Sequence, residues 1–151
     1  MSGRKHPRSI RFRPSRPADR GWQQLVRHAE RKILNDLQTP LSMAALSRTL
    51  GVSGRYLRMV FQEVHGVSPL RHLRMLKLTQ ARRSLMSARS QTVTVAETAV
   101  RHGFRELGRF SVEYREAFGE SPSITLHRAV HENKRRRSMR RTRKKTVRVG
   151  R

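Results

Sequence analysis

Apolar residues recur along the chain at three- and four-residue steps in seven runs, and no window alternates apolar and polar positions convincingly over six residues. Helices are therefore expected and strands are not. The first run, Trp22, Leu25, Val26, Ala29, Ile33, Leu34 and Leu37, predicts a helix from about Gly21 to Leu37, ended by Thr39-Pro40. Ser42 caps a short helix carrying Ala45, Leu46 and Leu50. Gly51 breaks it, and Ser53 caps the next, with Tyr56, Leu57, Val60, Phe61 and Val64 inward. A longer helix is expected from Pro69 to about Ser87, its apolar surface made by Leu70, Leu73, Met75, Leu76, Leu78, Ala81 and Leu85. Its length is roughly 28 Å at the standard helical rise.

After a polar link at Ala88–Val93, Thr94 can cap a fifth helix through His102, with Val95, Ala99 and Val100 inward. Gly103 ends it. The sixth runs from Glu106 or Leu107 to Phe118 and packs Phe110, Tyr114, Ala117 and Phe118. Ser121 caps a last helix from Pro122, carrying Ile124, Leu126, Ala129 and Val130, until the chain turns entirely basic at Lys134.

Within this series one pattern occurs twice. Leu57, Phe61, Gly66 and Pro69 are matched, 53 residues on, by Phe110, Tyr114, Gly119 and Pro122. Apolar residues four apart share a helix face, a glycine five further suits a left-handed stop, and the proline suits the first turn of a new helix. Each copy follows a glycine-marked turn, so each predicts a helix-turn-helix unit. The expected fold class is all-α, two helix-turn-helix subdomains joined by a long linker helix. The expected divisions are a basic, disordered arm at 1–20, a first subdomain at 21–68, the linker at 69–87, a second subdomain at 88–133 and a basic, disordered tail at 134–151.

A helix that enters the major groove of DNA is supported from behind and studded with contact residues outside. In the first candidate recognition helix the outward set is Ser53, Gly54, Arg55, Arg58, Met59 and Gln62. The second offers Arg105, Leu107, Gly108, Arg109, Ser111, Val112 and Arg115. Arginine is the usual bidentate partner of guanine, which makes Arg55, Arg58 and Arg109 the leading base readers. Tyr56, Phe61, Phe110 and Tyr114 are expected in the core. Recognition helices entering successive major grooves sit about 34 Å apart, which a rod of roughly 28 Å with half a domain at each end can span. Because the two outward sets differ, the bound site would be asymmetric.

Charge strengthens the nucleic-acid reading. The formal charge is +25, of which residues 1–20 hold +6 and residues 134–151 hold +11, with eleven Lys/Arg and no acid in the tail. Such blocks repel themselves and bury little surface, so both ends are expected to be disordered arms that add sequence-independent phosphate affinity and a steep salt dependence. Hydrophobic residues make up 35% of the chain, enough for a core in only part of it. With no cysteine, disulfides, thiol catalysis and cysteine-ligated zinc are excluded. No stretch approaches 18 apolar residues, and the arginine-studded start resembles neither a secretory signal nor, given its prolines, a transit helix. A cytoplasmic, nucleoid-associated protein is expected, without membrane contact.

Catalysis is not expected. The ten acids are scattered, and Glu113 and Glu116 lie among arginines on a DNA-facing element. The histidines show no metal-ligand spacing, with His65 and His102 placed for helix-end contacts. Neither GxGxxG nor GxxxxGK[ST] is present, so no cofactor and no metal are expected. The rival reading is a nonspecific basic RNA- or nucleoid-binding protein in which the tails carry the affinity.

Residues 22–130, and above all Gly103-Phe104, Gly108-Arg109-Phe110-Ser111, Tyr114 and Phe118-Gly119-Glu120-Ser121-Pro122, resemble the C-terminal DNA-binding domain of AraC/XylS-type transcriptional regulators. The resemblance implies two helix-turn-helix subdomains joined by a long helix, binding of asymmetric promoter sites in double-stranded DNA, and transcription activation partly through contact with RNA polymerase. Ser47 stands where the family usually has Ala, and Thr98 where it has Ile or Val; Gly54 loosens the start of the first recognition helix by up to about 1 kcal/mol. A hydroxyl at either position can return a hydrogen bond to the preceding turn, which implies some loss of stability and an unchanged fold. Most members carry a further effector or dimerisation domain, which 20 arginine-rich residues cannot form. The chain is then expected to be a stand-alone member or part of a longer regulator, with no small-molecule effector site of its own.

Overall fold

The computed structural model describes residues 17–89 and 92–149, which form seven helices and no strand. The helices are α1 (Pro17–Asn35), α2 (Met43–Leu50), α3 (Gly54–His65), α4 (Pro69–Met86), α5 (Val95–Arg101), α6 (Leu107–Phe118) and α7 (Pro122–Val149). Residues 1–16 of the arm expected at 1–20, the middle of the polar link and the last two residues lie outside the described residues.

Local chemistry sets most boundaries. Ser42, Ser53, Ser68 and Thr94 sit in extended backbone and accept an amide of the first turn through their hydroxyls. Ser121 Oγ likewise accepts from Ile124 N at 3.3 Å. In α5, of only seven residues, Thr94 and Glu97 form a reciprocal capping box, Glu97 N to Thr94 Oγ1 at 3.1 Å and Thr94 N to Glu97 Oε2 at 3.3 Å. Thr94→Ala should therefore cost about 1 kcal/mol, measurable as a lower urea midpoint with an unchanged slope. The two matched glycines, Gly66 and Gly119, close α3 and α6 in the left-handed region, at φ 69° and 74°.

Both ends correct the sequence reading. α1 starts at Pro17 rather than near Gly21 and ends at Asn35, where Asp36 accepts hydrogen bonds from the amides of Gln38 and Thr39, both at 3.2 Å, and from the Thr39 hydroxyl. Proline is well suited to a first helical position. α7 does not stop before Lys134 but continues through the basic segment to Val149. No proline or glycine intervenes before Gly150, and arginine, lysine and methionine are intrinsically good helix formers.

The interior is two cores strung on one helix. Val26, Ala29, Ile33, Leu46, Leu57, Val60, Phe61 and Leu73 form the first, edged by Trp22 and Leu76 among others. Leu78, Ala81, Leu85, Ala99, Phe104, Phe110 and Tyr114 form the second. α4 thus feeds Leu73 and Leu76 into one core and Leu78, Ala81 and Leu85 into the other. At about 100° per residue these two sets point roughly 140° apart around the helix, with Lys77 about midway between them. The sequence reading treats them as one surface; they are two. Accordingly Met75, expected to face inward, is exposed, as are Leu34, Tyr56, Val100 and Ile124.

Candidate nucleic-acid interface

α3 and α6 occupy equivalent places, each the second helix of a helix-turn-helix pair. Leu57, Val60 and Phe61 bury the rear of α3; Phe110 and Tyr114 bury the rear of α6. Of the expected outward residues, Ser53, Arg55, Arg58, Met59 and Gln62 are exposed, as are Arg105, Leu107, Gly108, Arg109, Val112 and Arg115. Gly54 and Ser111 are half-buried. A Cβ at Gly54 would lie 3.4 Å from Ser47 Oγ, so this residue sits against α2 rather than on the open face. Tyr56, 39% exposed, joins the outer surface instead. Met59, Leu107 and Val112 add exposed apolar groups of the kind that contact thymine methyls.

The second helix-turn-helix is tied to the linker at both ends. Glu113 accepts from Arg109 Nε through Oε1 at 3.0 Å and from Arg74 Nε of α4 through Oε2. The Arg74 guanidinium also lies 5.2 Å from the centre of the Phe104 ring. Arg109, whose side chain is 64% exposed, is thereby held through its Nε. In sequence Glu113 is an acid among arginines; in the fold it orients Arg109 and anchors α6 to α4.

At the far end, Glu120 accepts from the Thr125 hydroxyl and from Arg128 Nη2, both at 2.7 Å, while Tyr114 donates to Thr125 Oγ1 at 2.9 Å. Arg82 of α4 lies 4.6 Å from the Phe118 ring centre and 3.4 Å from Glu120. The Thr125 hydrogen bond first, and then Arg128, hold the Glu120 carboxyl below the usual range, and burial pushes the Tyr114 phenol up. The Thr98 hydroxyl donates to the Thr94 carbonyl at 2.9 Å, returning its bond to the preceding turn. His102 ends α5 with Nδ1 donating to the Thr98 carbonyl at 2.7 Å and Nε2 in a hydrogen bond of 3.2 Å with the Ser84 hydroxyl of α4.

Between the halves, Lys77 is 2% exposed, and its Nζ donates to the Thr39 carbonyl at 2.7 Å. Burial holds its pKa below the ordinary lysine value. Gly103, at φ 79°, packs its backbone directly against this junction: a Cβ there would stand 2.4 Å from Leu37 O and 2.8 Å from Lys77 Nζ. The turn of the second subdomain thus rests on the α1–α2 turn of the first. Beside it opens a cleft of 240 Å³ whose walls include Arg74, Lys77, Arg105 and Arg109, next to the start of α6. Glu106 precedes that helix without a side-chain cap, whereas Ser53 caps α3. No described helix is long and apolar enough to cross a membrane.

A helix-turn-helix domain family matches residues 46–128. A protein of Rhodococcus erythropolis described as a probable thc operon regulatory protein is 37% identical over 122 residues, covering 81% of this chain and 36% of that protein. The XylDLEGF operon transcriptional activator of Pseudomonas putida is 34% identical over 100 residues, covering 66% of this chain and 31% of the activator. The chain spans about a third of the length of these two curated relatives (36% and 31%). Among solved structures, a probable AraC family transcriptional regulator from Rhodopseudomonas palustris superposes with a TM-score of 0.62 at 34% identity, over 70% of this chain and 97% of that one. The DNA-binding domain of AdpA, solved in complex with a target DNA, shares the fold with a TM-score of 0.59 at 24% identity, over 68% and 89% of the two chains.

Proposed function

Because the chain belongs to the AraC/XylS-type family of DNA-binding transcription regulators, which are not enzymes, we propose that it binds an asymmetric promoter site sequence-specifically, with α3 and α6 in successive major grooves. The observation that carries this reading is a shared scaffold with unlike outer faces, fixed on one linker helix. α4 spans 18 residues, about 27 Å at the helical rise, and Lys77, Gly103 and the Arg74–Glu113–Arg109 chain hold the two halves in one relation. In this reading residues 21–68 and 88–133 are the two reading units and α4 is their spacer. Arg55, Arg58 and Arg109 read bases, and the uncapped start of α6 offers its first amides to a phosphate. Activation through RNA polymerase, and the absence of an effector site from this chain, belong to the same proposal.

Selecting bound sequences from a random duplex library at two salt concentrations tests it. A bipartite motif with half-sites about ten base pairs apart is expected. Arg55→Ala and Arg109→Ala should each cost about 1–3 kcal/mol and relax different half-sites. Uniform loss of all duplexes with rising salt would sink the specific reading.

The one observation favouring a nonspecific basic binder is the run of ten Lys/Arg between Lys134 and Val149. Removing residues 134–151 should flatten the salt slope and leave the sequence preference in place. Loss of the preference with the tail would favour the nonspecific reading.

A further inference from the structure

Behind the first recognition helix, three helices bring together Glu30 of α1, His65 in the last turn of α3 and His72 of α4. His72 Nε2 lies 2.7 Å from Glu30 Oε1. The imidazoles of His65 and His72 stack with centroids 3.9 Å apart and 19° between planes. Phe61 closes the inner side, its ring centre 5.5 Å from that of His72 and 6.1 Å from that of His65. One ligand atom from each of the three residues lies within 4.8 Å of the other two. His65 is exposed while Glu30 and His72 are half-buried, so the cluster has an apolar wall inside and water outside.

We propose that Glu30, His65 and His72 form a binding site for a borderline divalent transition-metal ion of the Zn²⁺ class. Two imidazoles and one carboxylate are the donors such ions select, whereas Mg²⁺ and Ca²⁺ require oxygen-rich sites. Metal–ligand bonds of about 2.0–2.2 Å require the widest pair of ligand atoms to close by roughly an ångström. His65, exposed, supplies that movement: stacked rings cannot aim their in-plane lone pairs at one point, so its imidazole turns out of the stack. The neutral imidazole is the ligating form.

Bound metal would pin the C-terminal end of α3 to both α1 and α4, ordering the recognition helix from behind. No linear motif announces the site, because each ligand comes from a different helix.

Another histidine pair, His127 and His131, lies four apart on α7 with ring centroids 4.1 Å apart. Among the described residues it joins no cluster of three ligands, and the test separates the two. The chelator-stripped full chain is titrated calorimetrically with Zn²⁺ at neutral pH, and thermal unfolding is followed with and without the ion. One Zn²⁺ should bind and raise Tm by at least about 4 °C. His65→Gln and Glu30→Gln should weaken binding at least about tenfold and abolish the rise, and the double variant His127→Gln/His131→Gln should retain both. His65 is exposed, so His65→Gln keeps the fold; should Glu30→Gln lose its far-UV dichroism, His65→Gln alone decides. The proposal is overturned by no binding, by binding indifferent to His65→Gln, by binding lost with the α7 histidines, or by an equal response to Mg²⁺.

Discussion

Gly103→Ala is expected to destabilise the chain by about 3–5 kcal/mol and lower Tm by on the order of 10 °C or more. Two costs add there. A non-glycine residue in the left-handed region costs roughly 1–2 kcal/mol, and Gly103 stands at φ 79°. The new Cβ would also meet Leu37 O at 2.4 Å, a backbone atom held by the Asp36-ordered turn, and Lys77 Nζ at 2.8 Å. Neither neighbour can give way cheaply, since Lys77 is itself buried and bonded to Thr39. Gly119→Ala is the control: φ is 74°, but nothing lies within 4 Å of its Cβ position. It should show the left-handed cost alone, about 1–2 kcal/mol. Urea unfolding of the two variants side by side tests this, and equal losses would show that Gly103 makes no special contact.

Phe61→Ala and Phe110→Ala should each cost about 3–5 kcal/mol, the usual penalty for truncating a fully buried phenylalanine. Where that penalty is felt should differ. Phe61 belongs to the core of α1–α4 and Phe110 to the core around α6, and among the described residues no core residue is shared between the two. The single tryptophan, Trp22, packs on the first core alone. In Phe61→Ala the Trp22 fluorescence midpoint should fall with the helical dichroism. In Phe110→Ala the dichroism should begin to unfold at lower urea while the Trp22 transition moves much less. Coincident shifts by both probes in both variants would mean that α4 welds the halves into one cooperative unit.

What was legible in the sequence was what a few neighbouring residues decide. Ser42, Ser53, Thr94 and Ser121 cap helices because a hydroxyl needs only the next turn to act on. The repeated Leu/Phe, Phe/Tyr, Gly, Pro scaffold was legible for the same reason, and with it the all-α class and the outward faces of α3 and α6. The turn of the buried stripe along α4 was not, because a period argument assumes that one helix meets one neighbour. Met75 is therefore expected inward on α4 although it is exposed. Glu113 reads as an acid among arginines until an arginine 39 residues away is brought to it, and the partner of Lys77 is a carbonyl 38 residues away. Charge repulsion alone predicts that α7 stops at Lys134, whereas the helix follows the intrinsic propensity of its arginines and lysines to Val149.

The two-sided linker also constrains evolution. One residue inserted into α4 near Lys77 would lengthen the helix by only about 1.5 Å but would swing the second half by about 100°. One base pair added between half-sites rotates the duplex by only about 35°. No single-residue insertion in the helix matches a single-base-pair insertion in the DNA. In the proposed two-groove mode, half-sites should therefore drift in sequence more readily than in spacing, and a linker longer by one residue cannot answer a spacing longer by one base pair.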